Sequence, residues 1–90
     1  MSLTQMTKYL MNNKTFMKNT IEITGMCLEQ TNNNMDFACR IVKLYTKCVH
    51  DLFEDNQHYT EEFKEHMLKA MDAGWWIDKL QKDSRKRTTK

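Results

Sequence analysis

Apolar residues recur along this chain at spacings of three and four, the repeat of a helix with one buried face. Leu3, Met6 and Leu10 open the pattern, with Ser2 as N-cap and Gln5 three residues on, a capping-box layout that satisfies two free amide donors. The repeat weakens at Asn12-Asn13-Lys14, where a first helix ends or kinks. From 15 to 30, Phe16, Ile23 and Cys27, with Thr20 between, form one stripe, and Met17, Ile21 and Leu28 form the next. The β-branched Thr20, Ile21 and Ile23 lower helix propensity here, so a strand is the lesser reading. Gly25 costs about 1 kcal/mol against alanine and would allow a close helix approach.

The polar run Thr31-Asn32-Asn33-Asn34 predicts a break, being full of residues that cap helices. A third helix follows over 35–54, with Ala38, Ile41, Tyr45, Cys48 and Leu52 on one face, flanked by Val42, Leu44 and Val49. A second break spans 55–59, and Thr60 caps a last helix whose first turn carries Glu61 and Glu62, where the helix dipole favours negative charge. Its apolar positions are Phe63, Met67, Leu68, Ala70, Met71, Gly74, Trp75 and Ile77. The pattern fades after Leu80. The expectation is an all-α fold, a small bundle of three to four antiparallel helices, because short connections make neighbours antiparallel. Residues 1–82 form a single helical domain and 83–90 a flexible basic tail.

Composition strengthens the helical reading. The 90 residues include no proline and two glycines, too few for the turns of a strand-rich fold. No apolar run is long enough for a membrane span, so no membrane partner is expected. The opening residues lack the charged and apolar layout of a secretory signal. Cys27, Cys39 and Cys48 are odd in number and lack CxxC spacing, which fits a reducing compartment and points to the cytoplasm. Richness in Asn, Lys and Met hints at an AT-rich source such as a virus or phage, in which case the compartment is the host cytoplasm. The net charge of +2 is divided: residues 82–90 hold five cations and one acid, the rest nine cations and eleven acids.

The tryptophan pair is the most informative feature. On a wheel of about 100° per residue, with the last helix taken as continuous, Trp75 sits at the edge of the core arc. Trp76 falls on the polar side, with Leu80 and Ala73, among Glu65, Lys69 and Asp72. Either the first helix folds over Trp76 or the patch contacts a partner or a second copy. The expected partner-binding residues are Trp76, Ala73 and Leu80, supported by Trp75 and Met71. A second feature is the row Arg40, Lys43 and Lys47, which would hold an anion, a nucleotide or a nucleic acid together with the basic tail. The plainer account is a solvated face with Asp36 and Asp51 as helical ion-pair partners. No aromatic sits within the row to stack on bases.

Nothing in the sequence calls for catalysis. His50, His58 and His66 are eight residues apart and lack the close pairs that metal sites use, so no metal or cofactor is expected. Cys39 lies on the polar side of its helix, but His50 is three turns away, too far to act as its base. Glycine-rich phosphate loops are absent. The methionines suit an adaptable core or a forgiving interface. The sequence therefore points to a non-enzymatic binding or adaptor protein, an accessory factor or host-directed inhibitor if viral. It would act through protein–protein contact and self-association as a homo-oligomer; anion, nucleotide or nucleic-acid binding is the alternative.

Overall fold

The computed structural model describes residues 3–55 and 58–88, with the side chains of 5–55 and 58–83. The described residues form five helices: α1 (Leu3–Met11), α2 (Lys14–Gln30), α3 (Met35–Asp55), α4 (Glu61–Ala70) and α5 (Ala73–Thr88). No strand occurs among the described residues. Ser2, the expected cap of α1, lies outside them.

Short polar side chains cut the chain where the sequence suggests. Asn13 caps α2, its Oδ1 accepting the Phe16 amide at 2.9 Å. Leaving α2, Asn32 and Asn33 take left-handed φ values of 56° and 70°. The Asn33 amide then reaches back to the Leu28 carbonyl at 2.8 Å, the six-to-one bond of a Schellman ending. Asn34 starts α3 by accepting the Phe37 amide at 3.0 Å. Thr60 does the same for Phe63 at the head of α4.

The expected last helix is two helices. Asp72 Oδ1 accepts the Trp75 amide at 2.9 Å, an N-cap that ends α4 and starts α5 afresh. This raises the count from the expected three or four to five. The helical span also reaches Thr88, where a flexible tail was expected from residue 83; residues 89 and 90 lie outside the described residues.

Helix α2 is central, packing against each of the other four. Its buried stripe is Phe16, Asn19, Ile23 and Cys27, so the polar Asn19 takes the place that the spacing offered to Thr20. Asn19 Nδ2 donates to the Leu68 carbonyl at 2.9 Å and to Tyr45 Oη at 3.0 Å, with the Met71 carbonyl at 3.4 Å. Tyr45 Oη in turn donates to the Met71 carbonyl at 2.6 Å. The last carbonyls of a helix have no amide of their own to accept. Here α2 and α3 supply the donors, and the chain can turn sharply from α4 into α5. Burial pushes the Tyr45 hydroxyl pKa up, so it stays a donor. Its ring stacks on Phe16, with centroids 5.7 Å apart.

A second polar knot joins α2 to α4. Glu65 accepts from Asn13 Nδ2 at 2.9 Å and from the Thr15 hydroxyl, and these bonds, Thr15 first, hold its carboxyl below the usual range. Lys64 is buried, its ammonium 5.6 Å from the Tyr9 ring centroid, 5.9 Å from that of Phe53 and 3.7 Å from Glu61. Phe63, expected on the core face, is exposed instead and packs on Tyr59. The Tyr9 hydroxyl is pushed up to about 12 by burial, reinforced by Glu61 and Glu65.

Candidate binding groove

Because α5 starts at its own cap, the angular phase of α4 does not carry into it. Ala73, Trp76, Ile77 and Leu80 are then a fresh amphipathic stripe at i, i+3, i+4 and i+7, and that stripe faces inward. Trp76 is 5% exposed, and Ala73 and Met71 are also buried. Leu80 is half-buried against the core. The patch expected at the surface around Trp76 is thus part of the interior. Tyr45 of α3 lies against the indole at a centroid distance of 5.5 Å, and α2 packs along α5. The Trp76 indole nitrogen is buried and finds no acceptor among the described residues. Trp75 is the exposed member of the pair, at 40%, with the Lys79 ammonium 5.7 Å from its ring.

The surface that the fold does open lies along α3. A cleft of about 450 Å³ between α1 and α3 is lined by Thr7, Leu10, Lys43, Thr46, Lys47, His50 and Asp51. A second hollow of about 250 Å³ shares Thr7, Leu10 and Thr46 with it and adds Met11, Phe16, Met17, Thr20 and Val42. The two hollows lie side by side on this common wall, apolar where α1, α2 and α3 meet and cationic toward Lys43 and Lys47, and together they make up the candidate groove. Helix spacing explains the α3 side: Val42, Thr46 and His50 are four apart on one edge, with Lys43 and Lys47 beside them. Thr20 and Thr46 give their hydroxyl hydrogens to the Met17 and Val42 carbonyls, at 2.8 and 2.9 Å, and so present little free polarity. Met11 is well exposed, and so is Ile21, one turn beyond Met17.

The groove takes two of the three cations in the expected anion row. Lys43 and Lys47 line it, while Arg40 is exposed outside it. The positive end is not purely positive. Lys47 binds Asp51 at 2.8 Å, which raises the lysine pKa and lowers that of the aspartate. His50 Nδ1 lies 3.4 Å from Glu54 and 3.6 Å from Asp51, and its Nε2 is buried without a partner among the described residues. A free phosphate would meet these acids beside the two lysines.

Sequence reasoning missed α1 as the wall of this groove, and with it His50 as a lining residue. The i, i+4, i+8 run Val42-Thr46-His50 was the available sign, but it reads as an ordinary flank until α1 is laid along it. Cys39 is exposed and Cys27 buried. The described residues bring no three His, Cys, Asp or Glu side chains together as a metal site. No described helix is long and apolar enough to cross a membrane. Comparison with protein-family models, with curated proteins and with solved structures gives no match to this chain.

Proposed function

We propose that the protein is a non-enzymatic binding module that receives an acidic amphipathic helix of a protein partner in the α1–α2–α3 groove. The observation that carries this reading is that an apolar hollow adjoins a cleft with Lys43 and Lys47 on its wall. A helix laid in such a groove places apolar anchors at i, i+3, i+4 and i+7 on the floor and its flanking acids against the lysines. Met11 and Met17 suit this role, since an unbranched thioether side chain repacks around different shapes. The acids around Lys47 oppose a phosphate and a glutamate alike, but a helix also gains affinity from the apolar floor, with the lysines supplying orientation, where a free phosphate has only the lysines. A small accessory or inhibitory factor of viral or phage origin, acting in the cytoplasm, is the setting in which we place it.

The test uses a fluorescein-labelled designed helix with leucines at i, i+3, i+4 and i+7 and glutamates on both flanks. It should bind, and Val42→Glu or the pair Lys43→Glu/Lys47→Glu should each weaken it by about tenfold or more. A lysine-flanked helix with the same leucines should bind less well. Equal binding of the two helices, or indifference to all three substitutions, would overturn the reading. A single-stranded oligonucleotide that bound instead, with a steep salt dependence, would favour the anion alternative.

A further inference from the structure

The opposite flank of α3 carries an apolar seam that the described residues cover only in part. Phe37, Ile41, Leu44 and Cys48 are spaced four, three and four, the stagger of a coiled-coil contact line. Ile41 is buried beneath it and Cys48 half-buried, but Phe37 is 42% and Leu44 51% exposed. Scattered exposed apolar side chains need no explanation; two on one seam of a 21-residue helix form a contiguous strip.

We propose that this seam pairs with the same seam of a second copy, α3 against α3, antiparallel about a two-fold axis. The charges along its edge select both the partner and the direction. Arg40 and Asp51 are eleven residues apart, three turns, so they border the seam on the same side, about 20° from each other. An antiparallel pair sets Arg40 of each copy against Asp51 of the other, twice over. A parallel two-fold pair puts this edge of the two copies on opposite sides of the contact, so Arg40 and Asp51 find no such partners across it. The midpoint between the two charges falls at Tyr45 and Thr46, next to Leu44, so the most exposed apolar residue of the seam meets its own copy beside the axis. This is the self-complementary contact of an isologous dimer, in which residue i meets j and j meets i. Asp51 also holds Lys47 at 2.8 Å; a carboxylate has acceptor sites for both cations. Phe37, Ile41, Leu44 and Cys48 do not line the groove; Asp51 borders both surfaces, so Leu44→Glu is the variant that tests pairing apart from what the groove binds.

Sedimentation equilibrium of the full chain tests this, with circular dichroism to confirm folding. The wild type should be a reversible dimer. Leu44→Glu, at an exposed position that leaves the core untouched, should raise the dimer dissociation constant by about tenfold or more. Arg40→Glu should weaken pairing several-fold, and Arg40→Glu/Asp51→Arg should restore it, because the swapped charges again face each other. A wild type that stays monomeric to high micromolar concentration would overturn the proposal. So would a folded dimer indifferent to Leu44→Glu, or a charge-swapped double variant no tighter than Arg40→Glu alone.

Discussion

Replacing Asn19 by alanine should weaken the corner between α4 and α5 more than any other single polar change. The amide nitrogen has two hydrogens, and the two shortest of its contacts run to the Leu68 carbonyl at 2.9 Å and to Tyr45 Oη at 3.0 Å. Alanine removes both and leaves a buried carbonyl at the end of α4 short of a donor. Each buried polar group so stranded costs about 1–3 kcal/mol, and the space left by the carboxamide adds to that. We expect a loss of about 2–4 kcal/mol in total. For a domain of this size, where 1 kcal/mol moves Tm by about 4–8 °C, the midpoint should fall by about 10–30 °C. Tyr45→Phe keeps the stack on Phe16 and removes only the hydroxyl, so it should cost about 1–2 kcal/mol. The double variant should lose less than the sum, since the two side chains share one bond. Urea unfolding followed by circular dichroism measures all three. A loss below about 0.5 kcal/mol for Asn19→Ala, the size of an ordinary surface change, would refute the claim that this hub secures the corner.

Three further outcomes follow from the packing. Trp76→Ala should cost about 3–5 kcal/mol as a core truncation, whereas Trp75→Ala should stay within about 0.5 kcal/mol; thermal melts of the two variants compare them directly. Asp72→Ala should cost about 1 kcal/mol by removing the cap of α5, and Asp72→Asn, which still caps, much less. Stability should fall at both pH extremes. The carboxyl of Glu65 is held below its ordinary range, so its contribution is full above about pH 4 and is lost as the pH drops through the folded-state value, a loss that Glu65→Gln removes from a pH series of melts. Tyr9 is raised to about 12, so stability falls as the pH climbs from its unfolded value toward 12, and Tyr9→Phe removes its share of that limb, leaving the share of Tyr45, also raised by burial.

The helical class and the breaks after Met11, after Gln30 and before Glu61 were legible because they rest on local chemistry, caps and a 3–4 repeat; of the expected break at 55–59, Asp55 is still helical and 56 and 57 lie outside the described residues. The split at Asp72 was not. Asp-Ala-Gly-Trp contains nothing a helix interior forbids, and the Asp72 cap becomes visible only once the chain has turned. The error then propagated: a wheel is valid only within one helix, so carrying the phase across the break placed Trp76 outside when it is inside. Phe63 also stands among the expected apolar positions, although Lys64 and Leu68 are the residues that α4 buries. A buried lysine is not readable from polarity; it depends on Tyr9 and Phe53 arriving from other helices. Asn19 was hidden for the same reason, since its acceptors lie on α3 and at the end of α4. The groove needed α1 in place. Its cationic half was partly in view, as Lys43 and Lys47 of the row Arg40, Lys43 and Lys47, but the apolar half came from three helices that the sequence lists far apart.

The central claim is that the groove is the contact surface, and ¹⁵N chemical-shift mapping tests it most directly. Titrating the glutamate-flanked designed helix into labelled protein should shift the amides of Thr7, Leu10, Met11, Met17, Val42, Lys43 and Thr46 together, leaving those around Trp75 and Lys79 in place. Shifts centred on Trp75 and Lys79, with the groove amides unmoved, would contradict the account.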